Sequence, residues 1–249
     1  MKKKLKRFLL LLLIGFIGFF IYSNTRYNGT YMGTYELWHH EGAWPSAHDR
    51  ILDVSTFNFQ LYQPFVSDSF HSISAVILGN NLFFHSGYFT DIDRSDIEFH
   101  SKDSLMFVDE DYSYSFQKIP DSLQEFEPIN LENRLFRLSD EKYTETIYFS
   151  KNFMFFKEHH DTLKKWSAQL YRWANTNDFQ ILTLQVGPNI IINKTNGHIN
   201  YNRFRGNEIE QIPLIELPLD SLSREHLELF QNHQEEFDVP KLNNILSDF

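Results

Sequence analysis

Two groups of histidines and carboxylates have spacings that suit metal chemistry. The first is His39-His40-Glu41 followed by His48-Asp49, and the second is Glu158-His159-His160-Asp161. Zinc takes three or four nitrogen, sulfur or oxygen ligands at tetrahedral positions, with outer partners that fix the imidazole rings. Neighbouring residues of a strand point to opposite faces, so His39 and His40 cannot both ligate from one strand. His40, Glu41, His48 and Asp49 form the better set, because an irregular stretch with Gly42 and Pro45 separates the two halves. A metal-dependent hydrolase using the His40/His48 region is the enzymatic reading. Against it stands the plainer one, histidines in exposed loops, and no HExxH helix occurs.

Nucleophile chemistry has less to stand on. Neither a G-x-S-x-G elbow nor a G-x-x-x-x-G-K-[ST] phosphate loop is present, so no catalytic residue and no cofactor is assigned. Asp91/Asp93 and Asp109/Asp111 have the spacing of paired carboxylates on one strand face. In so acidic a chain they read as solvated loop charges. A different set suits binding: Tyr114, Phe116 and Lys118 at the end of one strand pattern, and Tyr201 and Arg203 at the end of another. The aromatics offer apolar surface, and the two cations can receive an acidic group.

These residues sit in two stretches of similar pattern. In Ile97–Lys118, Ile97 and Phe99 alternate with polar residues, Leu105–Val108 is apolar, and Tyr112, Tyr114 and Phe116 alternate with Ser113, Ser115 and Gln117. Period two, punctuated by Asp and Ser turns, predicts antiparallel strands buried on one face. Shifted by 85 residues, Leu182–Arg203 shows the same order of apolar runs, with Asn196-Gly197 as a strong hairpin signal. No aligned position is identical, so duplication and two unrelated meanders both stand.

Anchoring comes from the start of the chain. Five of the 23 basic residues lie in Met1–Arg7, and Phe8–Tyr22 carries no charge. The run is slightly short of a ~30 Å hydrocarbon core, a gap that snorkelling lysines can close. The basic flank predicts a cytoplasmic N-terminus and a body that is periplasmic or extracellular. A cleaved signal peptide competes, but Ile21-Tyr22-Ser23-Asn24 lacks a small-x-small site, so a retained anchor is expected. The lipid bilayer is thus a partner through Phe8–Tyr22. The rest of the chain sets 18 basic against 33 acidic residues, a formal −15, which repels nucleic acid. There is no cysteine, hence no disulfide framework and no thiol catalysis. Twenty-five Phe and twelve Tyr supply apolar area for a core that packing alone must hold.

The expected organisation is a flank and anchor over residues 1–23, a stalk over 24–33, a β domain over 34–119, a linker over 120–133, a second β domain over 134–219 and a helical tail over 220–249. The linker rests on PDSLQEFEPINLEN, acidic with two prolines. Leu163, Trp166, Leu170 and Trp173 fall on one helical face and predict a helix over 162–174. Pro213 and Pro218 mark 212–219 as an edge strand or extended tail.

Gly33-Thr34-Tyr35-Glu36-Leu37 resembles the G-x-aromatic opening strand of bacterial lipocalin-like domains, and DSLMFVDEDYSYSFQKI resembles their closing strand pair. The likeness covers about residues 33–119, possible repetition about 131–205, and Tyr35 stands where the family usually has Trp. The resemblance implies a barrel that binds small apolar ligands. The fold expected is therefore mainly β, an antiparallel meander or barrel, lipocalin-like and in one or two tandem units, with accessory helices and an N-terminal transmembrane helix. The function expected is an anchored extracytoplasmic binding module for a small apolar ligand or an envelope protein partner. An anchored protein that neutralises a toxin is the remaining alternative.

Overall fold

The computed structural model describes residues 2–38, 42–44, 50–62, 71–78, 81–86, 96–101, 103–108, 112–125, 127–139, 144–151, 154–159, 166–176, 178–184, 189–205 and 208–232. The chain is mainly β and divides into two compact units, Met1–Ile119 and Pro120–Phe249.

The first unit opens with helix α1 (Lys2–Thr25), of which Lys4–Thr25 is long and apolar enough to cross a membrane, with a mean hydropathy of 2.1. At 1.5 Å per residue its 22 residues reach about 33 Å, a full hydrocarbon core. Strands β1 (Gly29–Trp38), β2 (Gly42–Trp44), β3 (Ile51–Ser55), β4 (Asn58–Tyr62), β5 (His71–Leu78), β6 (Asn81–Ser86), β7 (Asp96–Ser101), β8 (Ser104–Val108) and β9 (Tyr112–Lys118) follow. They form one antiparallel sheet in the order β6-β5-β4-β3-β1-β9-β8-β7, with β2 on β1. Among the described residues its ends, β6 and β7, do not pair, though Cα atoms of the two come within 8 Å.

The expected stalk over 24–33 is absent: α1 runs to Thr25 and β1 begins at Gly29. Asn24 explains the direct junction. Among the described residues strand β4 pairs with His71–Ser74 and leaves the far half of β5 unpaired on that side. Asn24 fills that side as a strand residue would, donating to the Ile77 carbonyl at 2.9 Å and accepting from the Ile77 amide at 2.7 Å. Lys118 secures the same corner, its Nζ donating to the Asn28 carbonyl at 2.6 Å. Gly29, with a φ of +142°, holds a conformation that favours glycine, and a Cβ there would force the Lys118 side chain to shift. Residues 51–62 form the β3–β4 hairpin.

The second unit is a closed barrel of eight antiparallel strands in chain order: β10 (Arg134–Ser139), β11 (Thr144–Phe149), β12 (Met154–His159), β13 (Trp166–Asn175), β14 (Gln180–Leu184), β15 (Ile190–Thr195), β16 (His198–Arg205) and β17 (Glu208–Leu217). The β15–β16 turn is Asn196-Gly197, both at positive φ, as a two-residue hairpin of this type requires. Closure comes from β17 pairing with β10, and there Arg134 makes a two-pronged contact with Glu216 at 2.8 and 2.6 Å. That pairing corrects the edge-strand reading of 212–219. Pro213 is tolerated inside the barrel because it lies one residue beyond Leu214, where the β10 ladder ends.

The helix expected over 162–174 is also overturned, since Trp166–Asn175 is strand β13, paired on both sides. Its two faces are both apolar. Tyr171 and Trp173 point into the barrel, while Trp166, Ala168 and Leu170 point out against helix α2 (Arg224–Asn232). With both faces covered, the period-two contrast is lost and a helical stripe emerges by coincidence. Helix α2 starts at Ser223, whose Oγ caps the His226 amide at 3.1 Å. Pro120–Asn133, expected to be a linker, belongs to the barrel unit. The Glu125 amide bonds the Asp178 carbonyl, a Glu125 carboxylate oxygen accepts from the Lys194 amide, and Leu131 is buried in the barrel core.

The pairing order also revises the 85-residue alignment. Strand β9 closes onto the first strand of its unit, and β17, not β16, does so in the second. Matched by pairing, β7–β9 correspond to β15–β17, so the sequence shift aligned the two meanders one strand out of step.

Candidate functional site at the barrel mouth

Alternation along each barrel strand sorts residues into an inner and an outer face. Inside lie Phe136 and Leu138 of β10, Ile147 and Phe149 of β11, Tyr171 and Trp173 of β13, Leu182 and Leu184 of β14, Ile190 and Ile192 of β15, and Ile212 and Leu214 of β17. At one end this interior is stopped by Leu131 and Ile129, the latter held by a 3.0 Å bond from its amide to Gln180 Oε1. Above that floor Phe136, Phe149 and Tyr171 pack edge to face at 5.9 and 5.7 Å, and the Tyr171 hydroxyl donates to the Ser150 carbonyl at 3.1 Å.

The opposite end is different. Arg203 is in phase with Tyr201 on β16, and Glu210 is in phase with Ile212 on β17, so both enter the barrel. They are direct cross-strand partners, with Arg203 Nε 2.5 Å from Glu210 Oε2. On the other side Glu145 is in phase with Ile147, and Lys157 is its diagonal neighbour on β12 at 3.1 Å. These four side chains are only 16 to 26 % exposed. Tyr201 lies in the same volume, 7 % exposed. Burial drives its phenol pKa above the ordinary value, and the negative charges of Glu145 and Glu210 add to that rise. One phenol thus senses one carboxylate from each ion pair. Among the described residues this end collects two paired charges around a tyrosine, set over an aromatic floor.

Charged groups withdrawn from water cost several kcal/mol each unless they are paired and hydrogen-bonded. Here, among the described residues, the pairing meets most of that demand within the barrel, leaving the Arg203 Nη2 atom buried without a hydrogen bond. Two opposed charge pairs can also exchange partners with a ligand that carries both signs, because each displaced group finds a replacement.

Of the residues singled out in the sequence, Tyr201 and Arg203 come together at this mouth. Phe116 is buried in the first unit, Lys118 bonds Asn28, and Tyr114 occupies β9 opposite Glu36 and Phe107. Glu145, Lys157 and Glu210 escaped the sequence reading. Their signal was there, since each charged residue keeps the phase of the inward apolar residues of its strand or of its neighbour. His40, Glu41, His48 and Asp49 lie outside the described residues, as do His160 and Asp161, Asp91/Asp93 and Asp109/Asp111. Among the described residues no group of three His, Cys, Asp or Glu is placed to hold a metal.

No family model, no curated protein and no solved structure matches this chain. Its function is therefore argued from the barrel itself.

Proposed function

We propose that the chain is a lipocalin-like binding module, held in a membrane by α1 with its body on the extracytoplasmic side. Its second unit takes a small amphiphile at the barrel mouth. The observation that carries this reading is the mouth itself, two ion pairs and a buried tyrosine collected inside one end of a closed eight-stranded barrel. A barrel of that size is just wide enough for side chains to fill it or for one small ligand. The aromatic floor occupies the lower part, so the ligand is short. Its apolar body meets Leu138, Leu184 and Ile190, and a head bearing both charges meets Arg203–Glu210 and Lys157–Glu145. The basic flank of α1 supports the orientation.

A titration of the full chain in detergent with a fluorescent short-chain phosphocholine tests this. Saturable binding is expected. Arg203→Met weakens it about tenfold, equivalent to about 1.4 kcal/mol, while Arg224→Met leaves it unchanged because Arg224 lies exposed on α2. Equal affinity in both variants, or no saturable binding, contradicts the reading.

A further inference from the structure

Phe57 is a large apolar side chain where none is needed. It sits at the tip of the β3–β4 hairpin, is 42 % exposed, and has a φ of +65°. A bulky residue in the left-handed region is an outlier, because its Cβ crowds the backbone and glycine or asparagine would serve the turn better. Its tip neighbours are Ser55, Thr56 and Asn58, none of them charged. Packing within the sheet does not account for it. The ring lies instead against Phe20 of α1, with centroids 5.7 Å apart.

That contact fixes its depth. Phe20 lies two residues inside Tyr22, the end of the apolar run, or about 3 Å along the helix axis. Arg26 follows, its guanidinium over the rings of Tyr22 and Tyr27 at 5.7 and 4.4 Å, where a cation marks the headgroup level. An exposed ring level with Phe20 is therefore beneath the headgroups whenever α1 crosses the bilayer. Asn24 and its bonds to Ile77 keep the first unit from swinging away from the helix.

We infer that the β3–β4 hairpin tip is a second membrane contact, with Phe57 wedged into the acyl–headgroup boundary of the lipid bilayer beside α1. The first unit is then seated on the membrane at two points and does not hang from one. Backbone strain at Phe57 is the cost of aiming an aromatic ring outward at a place where lipid buries it. The inference rests on α1 being a retained membrane span.

The chain contains no cysteine, so single-cysteine variants report on single sites. Phe57→Cys, Phe16→Cys in α1 and Thr195→Cys at the exposed β15–β16 turn are spin-labelled in the full chain reconstituted into phosphatidylcholine bilayers. Collision with oxygen and with a water-soluble nickel chelate gives the depth of each label. The expected result is that the labels at positions 57 and 16 both favour oxygen, with 57 the shallower, while 195 favours nickel. A label at 57 as open to nickel as that at 195, with 16 still protected, overturns the hairpin contact and leaves the span intact. If 16 is also open to nickel, the span itself has failed and the inference falls with it.

Discussion

Above about pH 10 the barrel unit loses stability at about 2.7 kcal/mol per pH unit, twice the 1.36 kcal/mol that one proton contributes. Tyr171 and Tyr201 account for that slope, and Tyr148, also buried in the barrel unit with its phenol pKa raised by burial, adds to it in the same direction. Tyr171 and Tyr201 are 1 and 7 % exposed, and burial is the largest reason that their pKa values stand above the ordinary 10.0. Nearby carboxylates, Glu132 for one and Glu145 and Glu210 for the other, raise them further. In the unfolded chain both phenols ionise near pH 10, while the folded barrel keeps its protons. The folded state then binds more protons, so its stability is complete below pH 10 and falls as the pH rises toward the elevated folded values. Two pH units remove about 5 kcal/mol, comparable with the whole stability of a marginal domain. Urea unfolding at pH 8, 10, 11 and 12 checks the slope. Tyr201→Phe should lower it by about 1.36 kcal/mol per pH unit, and an unchanged slope in that variant would show that the phenol is not buried as described.

Phe230→Ala should be among the most damaging single substitutions on the outer face. Its ring is fully buried between Phe156 at 4.1 Å, Trp166 at 4.9 Å and Tyr148 at 5.6 Å, at the centre of the contact that α2 makes with the barrel. Truncating a buried phenylalanine costs about 3–5 kcal/mol in lost burial and cavity. With a urea dependence of ~2 kcal/mol per molar, the midpoint falls by roughly 2 M. Arg224→Ala on the same helix breaks only an exposed pair with Glu228, 92 and 60 % exposed, and should cost under about 0.5 kcal/mol. If Phe230→Ala unfolds at the wild-type midpoint, α2 does not hold the sheet.

The parts of the fold that could be read from sequence share one property, a clear local pattern. Tyr112, Tyr114 and Phe116 alternate cleanly and form β9; Asn196-Gly197 announces its hairpin because both residues accept positive φ. Where a second element covers the outer face, the alternation vanishes. Trp166–Asn175 is the example, buried inward through Tyr171 and outward against Phe230, and so it mimics a helix. Proline misled for a related reason: Pro213 is harmless because the β10 ladder stops beside it, a fact of register that no local pattern carries. The stalk over 24–33 was invisible as structure because Asn24 owes its role to Ile77, fifty-three residues away.

The site was half legible. Tyr201 and Arg203 stood out as an aromatic and a cation at a strand end. Glu145, Lys157 and Glu210 were not singled out, and barrel closure brings them together inside. Charge alone does not say which face a strand buries; phase with apolar neighbours does.

The central claim is that the barrel mouth is a ligand site and not merely a satisfied polar patch. Native mass spectrometry of the full chain, extracted gently in detergent and compared with Arg203→Met, tests it most directly. The account predicts that wild-type protein retains one small amphiphile that the variant loses or holds at a fraction of the occupancy. Wild-type protein of bare chain mass that takes up no added short-chain amphiphile, or an adduct equally abundant in both proteins, would contradict it.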